Sequence, residues 1–207
     1  IMVLPVDVNH SSWDHQILSS ADQQQPPIRL GLRLIKGLSE AAGQRVHAAQ
    51  RLRPFANVAD LRQRACLDRG DMEALAAADA LSGISGNRYQ SHWQTMALED
   101  HRPLLPNEGA VQRSQDDAVV TAAPTLPEDV IADYQSTGLT LRSHPLSLLR
   151  HQPPFDRCRR QTELETLGNH RFVRVAGLVT CRQRPGTASG VVFLTLEDET
   201  GNINVIV

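Results

Sequence analysis

Lysine is almost missing from this chain: Lys36 is the single lysine among 21 basic residues, so nearly every positive charge is a guanidinium. That group suits bidentate phosphate contact, although genome composition explains the same bias without any ligand. Cysteine is scarce too. Cys66, Cys158 and Cys181 are odd in number and far apart, which excludes a disulfide framework and the paired spacing of a zinc site. They read as cytosolic thiols, and no metal site is expected. Aromatic residues make up only 4% of the chain, which leaves little for base stacking. No apolar run approaches the length of a membrane span, and no basic-then-apolar leader is present; these absences predict a cytoplasmic chain with no membrane partner. Charge of one sign is not in excess either. A formal net charge of -2 excludes a globally basic protein, so any contact with nucleic acid must come from local patches.

What is there suffices for one ordinary domain or two small ones: 207 residues, 41% of them hydrophobic, predict a buried core. Residues 1–8 (IMVLPVDV) read as an apolar strand interrupted by Pro5, and residues 202–207 (NINVIV) as a β-branched strand. Neither is closed by a turn or cap at its outer end, so the expectation is a segment of a longer polypeptide.

The first feature with chemical meaning lies between two short helical stretches. Residues 28–35 (IRLGLRLI) alternate like a strand and pass into a helical turn, Lys36-Gly37-Leu38-Ser39 follows, and residues 40–52 (EAAGQRVHAAQRL) read as a helix. Ser39 is placed to cap that helix, with Ala42, Val46 and Ala49 on its inner face. A glycine in such a hairpin lets the backbone approach a ligand, and the free N–H groups of the following helix attract an anion. The arrangement matches a helix-hairpin-helix pattern that takes a DNA phosphate, with Ser39 at the usual second glycine. A plain helical hairpin that packs Leu38 and binds nothing fits the same residues.

A second helical pair is expected over residues 55–65 and 71–81, joined at Leu67-Asp68-Arg69-Gly70, with Asp68 as a cap and Leu61, Ala65, Met72, Leu75 and Ala78 as its core. Arg62, Arg64 and Arg69 read as surface arginines, with DNA as the alternative. Between residues 100 and 129, prolines at 103, 106, 124 and 127 mark a flexible connection. A short helix through Tyr134 then ends at Gly138, and His144-Pro145 starts another.

Residues 171–180 (RFVRVAGLVT) alternate as a strand with Gly177 permitting a bend. A basic loop, Arg182-Gln183-Arg184-Pro185-Gly186, leads to a strand over 190–196, an acidic turn over 197–201 and a third strand. Three sequential strands of this kind describe the opening of an OB-type barrel. Such barrels track single strands with positive charge and stack bases on aromatics; Arg182 and Arg184 supply the charge, while Phe172 and Phe193 read as barrel core rather than as stacking platforms. Glu197, Asp198 and Glu199 read as solvated turn carboxylates rather than a metal site.

Several of these stretches together resemble one family. VLPVDVNHSSWDH (3–15), IRLGLRLIKGL (28–38), PFANVADLRQRA (54–65), DMEALAAADAL (71–81), DYQSTGLTLRSHPLSLLR (133–150) and RPGTASGVVFLTLEDETGNINVIV (184–207) look like the carboxy-terminal part of bacterial C-family DNA polymerases. The wording RPGTASGVVFLTLEDETG resembles the error-prone, translesion branch. The resemblance implies DNA synthesis across damaged template during induced mutagenesis, alongside the sliding clamp and accessory mutagenesis proteins. It implies catalytic carboxylates and their Mg2+ in an upstream palm domain, so no catalytic residue and no cofactor are expected here, and Asp7 and Asp198 are not reassigned to that role. It also implies that Lys36, Gly37, Leu38 and Ser39 hold the duplex of a primer-template, with the OB fold near single-stranded DNA. Residues 161–164 (QTEL) lack the aromatic end of a clamp-binding peptide and are read as chance.

The expected class is thus mixed α and β: a helix-hairpin-helix region, a linker and a truncated OB-type barrel. The expected division is 1–30 as the end of an upstream, fingers-like region, 31–98 as the helix-hairpin-helix region, 99–150 as linker and short helices, and 151–207 as the start of the OB fold. Two other readings stay open. An aminoacyl-tRNA synthetase-like RNA-binding OB module fits the final stretch alone, and a non-catalytic interaction scaffold fits the acidic balance.

Overall fold

Pro5 cannot donate to a ladder, and the first strand stops ahead of it: β1 is only Val3–Leu4 in the computed structural model, which describes residues 1–19, 25–98, 122–186 and 190–207. Beyond it Asp7 accepts from the Asn9 N–H through its side chain and from the Ser11 N–H through its carbonyl, turning the chain back. β1 pairs in parallel with β3 (Ile28–Arg29), which pairs antiparallel with β2 (Gln16–Ile17). This small sheet delivers the chain to a 3-10 turn at Leu32–Leu34 and then to α1, Glu40–Leu52.

α2 (Val58–Ala65) and α3 (Arg69–Ala77) form the second pair. Asp68 caps α3 in a reciprocal box with Asp71, as its position before a helical run dictates. Two further helices follow, α4 (Ser82–Ser85) and α5 (Arg88–Ala97). Leu61, Ala65, Met72, Leu75 and Ala78 are all buried, together with Ala42, Val46, Ala49 and Phe55. Each fully buried leucine or valine of this set contributes roughly 1.5–3 kcal/mol by leaving water. Gly43 sits inside α1, where glycine is otherwise unfavourable, because the Trp13 ring lies where its Cβ would be, at 2.4 Å.

α6 (Leu126–Ser136) opens with a capping box between Thr125 and Glu128 and has Pro127 in its first turn. Pro127 therefore starts a helix rather than marking a linker. The chain divides after Leu141 into units Ile1–Leu141 and Arg142–Val207, so α6 belongs to the first. It is held there by Arg88, buried at 3% exposure, which donates to Asp129 and Asp133. The proline-rich stretch read as a flexible connection lies largely outside the described residues.

The second unit contains α7 (Pro145–Leu149), capped by the His144 ring, and α8 (Gln161–Leu164). Its sheet is an antiparallel meander of β4 (Leu178–Gln183), β5 (Phe193–Glu197) and β6 (Asn202–Ile206), the arrangement of the opening strands of an OB-type barrel. The mixed class expected from the sequence is thus observed. β4 begins later than residue 171 because the preceding backbone is engaged elsewhere: the Arg159 N–H donates to the Arg174 carbonyl, and Arg159 and Val175 form a parallel bridge. Gly177 is required by close approach, since a Cβ there would lie 2.6 Å from Leu196 Cβ.

Candidate nucleic-acid interface

The hairpin is built on a buried apolar base. Leu32, Ile35 and Leu38 are buried, which turns Lys36, Gly37 and Ser39 outward. Gly37 has φ +86, a left-handed conformation that L side chains rarely adopt. A Cβ at Gly37 would have nothing nearer than Ala74 Cβ at 3.9 Å, so the backbone angle, not crowding, demands glycine.

Ser39 is the N-cap of α1: its hydroxyl accepts from the Ala42 N–H at 3.1 Å and its carbonyl from the Gly43 N–H at 3.0 Å. Its φ of -76 needs no glycine, which explains why serine serves at that position. Among the described residues the Glu40 and Ala41 N–H groups have no protein acceptor, the ordinary state of a helix start and the feature that attracts an anion. The Glu40 carboxylate stabilises the helix but opposes an anion there.

Lys36 has a second task that the sequence did not reveal. Its N–H donates to the Ser136 carbonyl at 2.9 Å and its ammonium to the Tyr134 carbonyl at 2.9 Å, so it caps the end of α6. Two of the three ammonium protons are left for other acceptors. Arg64 is structural: it donates to the carbonyls of Ala49 and Arg53 and to Asp60, and lies 4.7 Å over the Phe55 ring. Burial alone would raise the Asp60 carboxyl, but the Ala56 N–H and the Arg64 and Arg53 guanidiniums outweigh it and hold it below the ordinary range.

In the second unit Arg182 lies on β4 itself, opposite Leu194, and not in a loop; Arg184 follows the strand, and both are exposed. Phe172, which precedes β4, and Phe193, the first residue of β5, are both exposed among the described residues. The acidic turn is also unlike its expectation. Asp198 is buried and Glu199 largely so, both on Arg150, which is itself 6% exposed. Asp198 further accepts from Thr200, Gly201 and the Gln161 N–H. Burial would raise both carboxyls; the donors from Thr200 and Gln161 for Asp198, and Arg150 for Glu199, hold them low instead. Hydrogen bonds to Glu199 raise Arg150 against the effect of its burial. This is a clamp within the unit.

A family model of the helix-hairpin-helix motif matches residues 1–91, taking in β1 to β3 as well as the hairpin. The error-prone DNA polymerase of Saccharophagus degradans is 49% identical over 210 residues, covering 100% of this chain and 20% of that protein. The error-prone DNA polymerase of Teredinibacter turnerae is likewise 49% identical, over 209 residues and 20% of its length. This chain is homologous to a segment of bacterial error-prone DNA polymerases. That of Pseudomonas aeruginosa is 46% identical over 203 residues, with 98% of the chain and 19% of the relative aligned. The chain spans about one fifth of the length of these relatives. The resemblance to error-prone polymerases read from RPGTASGVVFLTLEDETG thus extends along the whole sequence, both units included. No described helix is long and apolar enough to cross a membrane.

Proposed function

We propose that this chain is the DNA-holding part of an error-prone DNA polymerase that acts in damage-induced mutagenesis and translesion synthesis. The region 31–98 grips the duplex of the primer-template, and the 151–207 region attends the single-stranded template through Arg182 and Arg184. The observation that carries this reading is the outward Gly37 turn at φ +86, leading into a helix whose first N–H groups are open, within a segment matched by the helix-hairpin-helix family. Such a turn presents backbone N–H groups to a phosphate and reads no base, as template-independent grip requires. The nucleotidyl transfer and its Mg2+ belong to a catalytic domain of the polymerase, and the sliding clamp and accessory mutagenesis proteins are its partners. The RNA-binding alternative rests on the final stretch only, whereas the polymerase relatives align with both units.

Anisotropy titration against labelled primer-template, single-stranded DNA and a tRNA across a salt series tests the reading. The expected outcome is a preference for primer-template that weakens with salt, with a log-log slope near -0.9 per phosphate engaged. Preference for tRNA, or a flat salt response, would overturn it.

A further inference from the structure

The last carbonyls of a helix have no partner within it and carry the negative end of its dipole. At the end of α6 the left-handed turn at Gly138, φ +83, settles one of them: the Thr137 and Gly138 N–H groups both donate to the Asp133 carbonyl. The Tyr134 and Ser136 carbonyls are taken by Lys36 of the hairpin, the first by its ammonium and the second by its backbone N–H, each at 2.9 Å. The Lys36 Cε and Nζ also lie against the Gly138 turn, 3.9 Å from where a Cβ would stand. An exposed lysine beside the Gly37 turn thus has its charge fixed by a carbonyl 98 positions further on.

α6 is itself seated by a buried cation. Arg88, the first residue of α5, donates to the carbonyl and carboxylate of Asp129 and to one carboxylate oxygen of Asp133. The other Asp133 oxygen accepts from the Thr140 hydroxyl at 2.7 Å, so this side chain ties α6 both to α5 and to the segment just past Gly138. Val130, in the turn between the two aspartates, is buried. A continuous set of hydrogen bonds therefore runs from Arg88 through Asp133 and the last turn of α6 to Lys36, all within the first unit. A loose lysine must give up rotamer freedom when a phosphate fixes it. Lys36 has given it up already, and it keeps two ammonium protons to offer.

We propose that Arg88 and Asp133 are positioning residues for duplex DNA: by seating α6 they hold the Lys36 ammonium at the hairpin, so that docking of α6 and binding of a phosphate strengthen one another without α6 touching DNA. This rests on the reading of the hairpin as a duplex site and adds the device that prepares it. The bond to Tyr134 stays in place when the phosphate arrives, because the ammonium serves both acceptors at once. The same ammonium offsets the negative end of the α6 dipole, which would otherwise repel the phosphate. The coupling is reciprocal, since whatever α6 docking adds to DNA affinity, bound DNA adds to α6 docking.

The test is a double-mutant cycle on the whole chain: primer-template affinity of parent, Arg88→Met, Lys36→Met and the two combined, with hydrogen exchange of the α6 amides followed in each. Arg88 is 3% exposed, so its loss removes no direct contact with DNA. Arg88→Met should quicken exchange in α6 while α1 to α3 stay protected, and should weaken primer-template binding about fivefold, the lower end of the usual coupling between sites. In the Lys36→Met background the same change should cause no further loss, because the residue through which α6 acts is gone. Saturating primer-template should slow α6 exchange in the parent and leave it unaltered in Lys36→Met. A merely structural role for Arg88 would weaken binding equally in both backgrounds, and that additive result overturns the inference. Tighter binding by Arg88→Met would make α6 a competitor of DNA for Lys36 and overturns it as well. If Arg88→Met does not fold, Asp133→Asn, which keeps the shape of the side chain and removes its charge, takes its place in the cycle with the same two outcomes. A parent that binds primer-template with an additive cycle removes only the coupling, whereas a parent that binds none removes the duplex reading of the hairpin too.

Discussion

The two units hold themselves together by different means. In the first, Leu32, Leu61, Leu75 and Val46 are completely buried among other apolar side chains. In the second, the buried apolar residues among those described are Leu146 and Ile203, and an enclosed contact is ionic: Arg150 between Asp198 and Glu199. An apolar core is tolerant of salt and pH, whereas a buried ion pair stabilises only while both partners keep their charge; the first unit also holds such a pair, Arg88 with Asp129 and Asp133, but has the apolar core beside it. The first unit is therefore a platform fit to aim a hairpin, and the second a small assembly whose integrity depends on protonation.

This contrast can be broken at its strongest point first. Leu75→Ala should cost about 4 kcal/mol, the scale of a leucine removed from a core that cannot collapse around it. Urea unfolding should show that loss, with hydrogen exchange locating it in the first unit. Arg150→Met should cost about 3 kcal/mol, because it leaves Asp198 and Glu199 enclosed without their cation, and exchange should quicken in β5 and β6. If Arg150→Met left those strands fully protected, the ionic account of the second unit would fail.

Acid sharpens the comparison with a smaller effect. Asp198 and Glu199 have folded-state pKa values held below their ordinary ones. Their stabilisation is complete above the ordinary carboxylate range, near pH 4, and is lost as pH falls through the depressed folded values. Asp60 in the first unit is depressed as well, so that unit loses something too, but it keeps its apolar core. Amide exchange followed from pH 5 downward should show β5 and β6 opening before α1 to α3. The opposite order would contradict the contrast.

What the sequence made legible was local chemistry. Ser39, Asp68 and His144 cap helices where their positions ahead of helical runs indicate, and Gly138 ends α6 with a positive φ. Each of those needs only a few neighbouring residues. What stayed hidden was made by partners far along the chain. Lys36 reads as a free phosphate ligand until Tyr134, 98 positions away, is seen to accept from it. Asp198 and Glu199 read as solvated until Arg150 closes on them from 48 and 49 positions away. The late start of β4 was hidden for a related reason, since alternation over 171–180 does not show that Arg159 ties the backbone at Arg174 and Val175.

The proposed seat of a DNA phosphate at the Gly37 turn is tested by the duplex affinity of Gly37→Val against parent, with circular dichroism confirming that α1 remains. A β-branched residue at φ +86 must move the turn. The account predicts duplex binding weakened by about 1–3 kcal/mol, the cost of a misplaced phosphate site, with a shallower salt slope. Equal affinity and equal slope in the two proteins would contradict it.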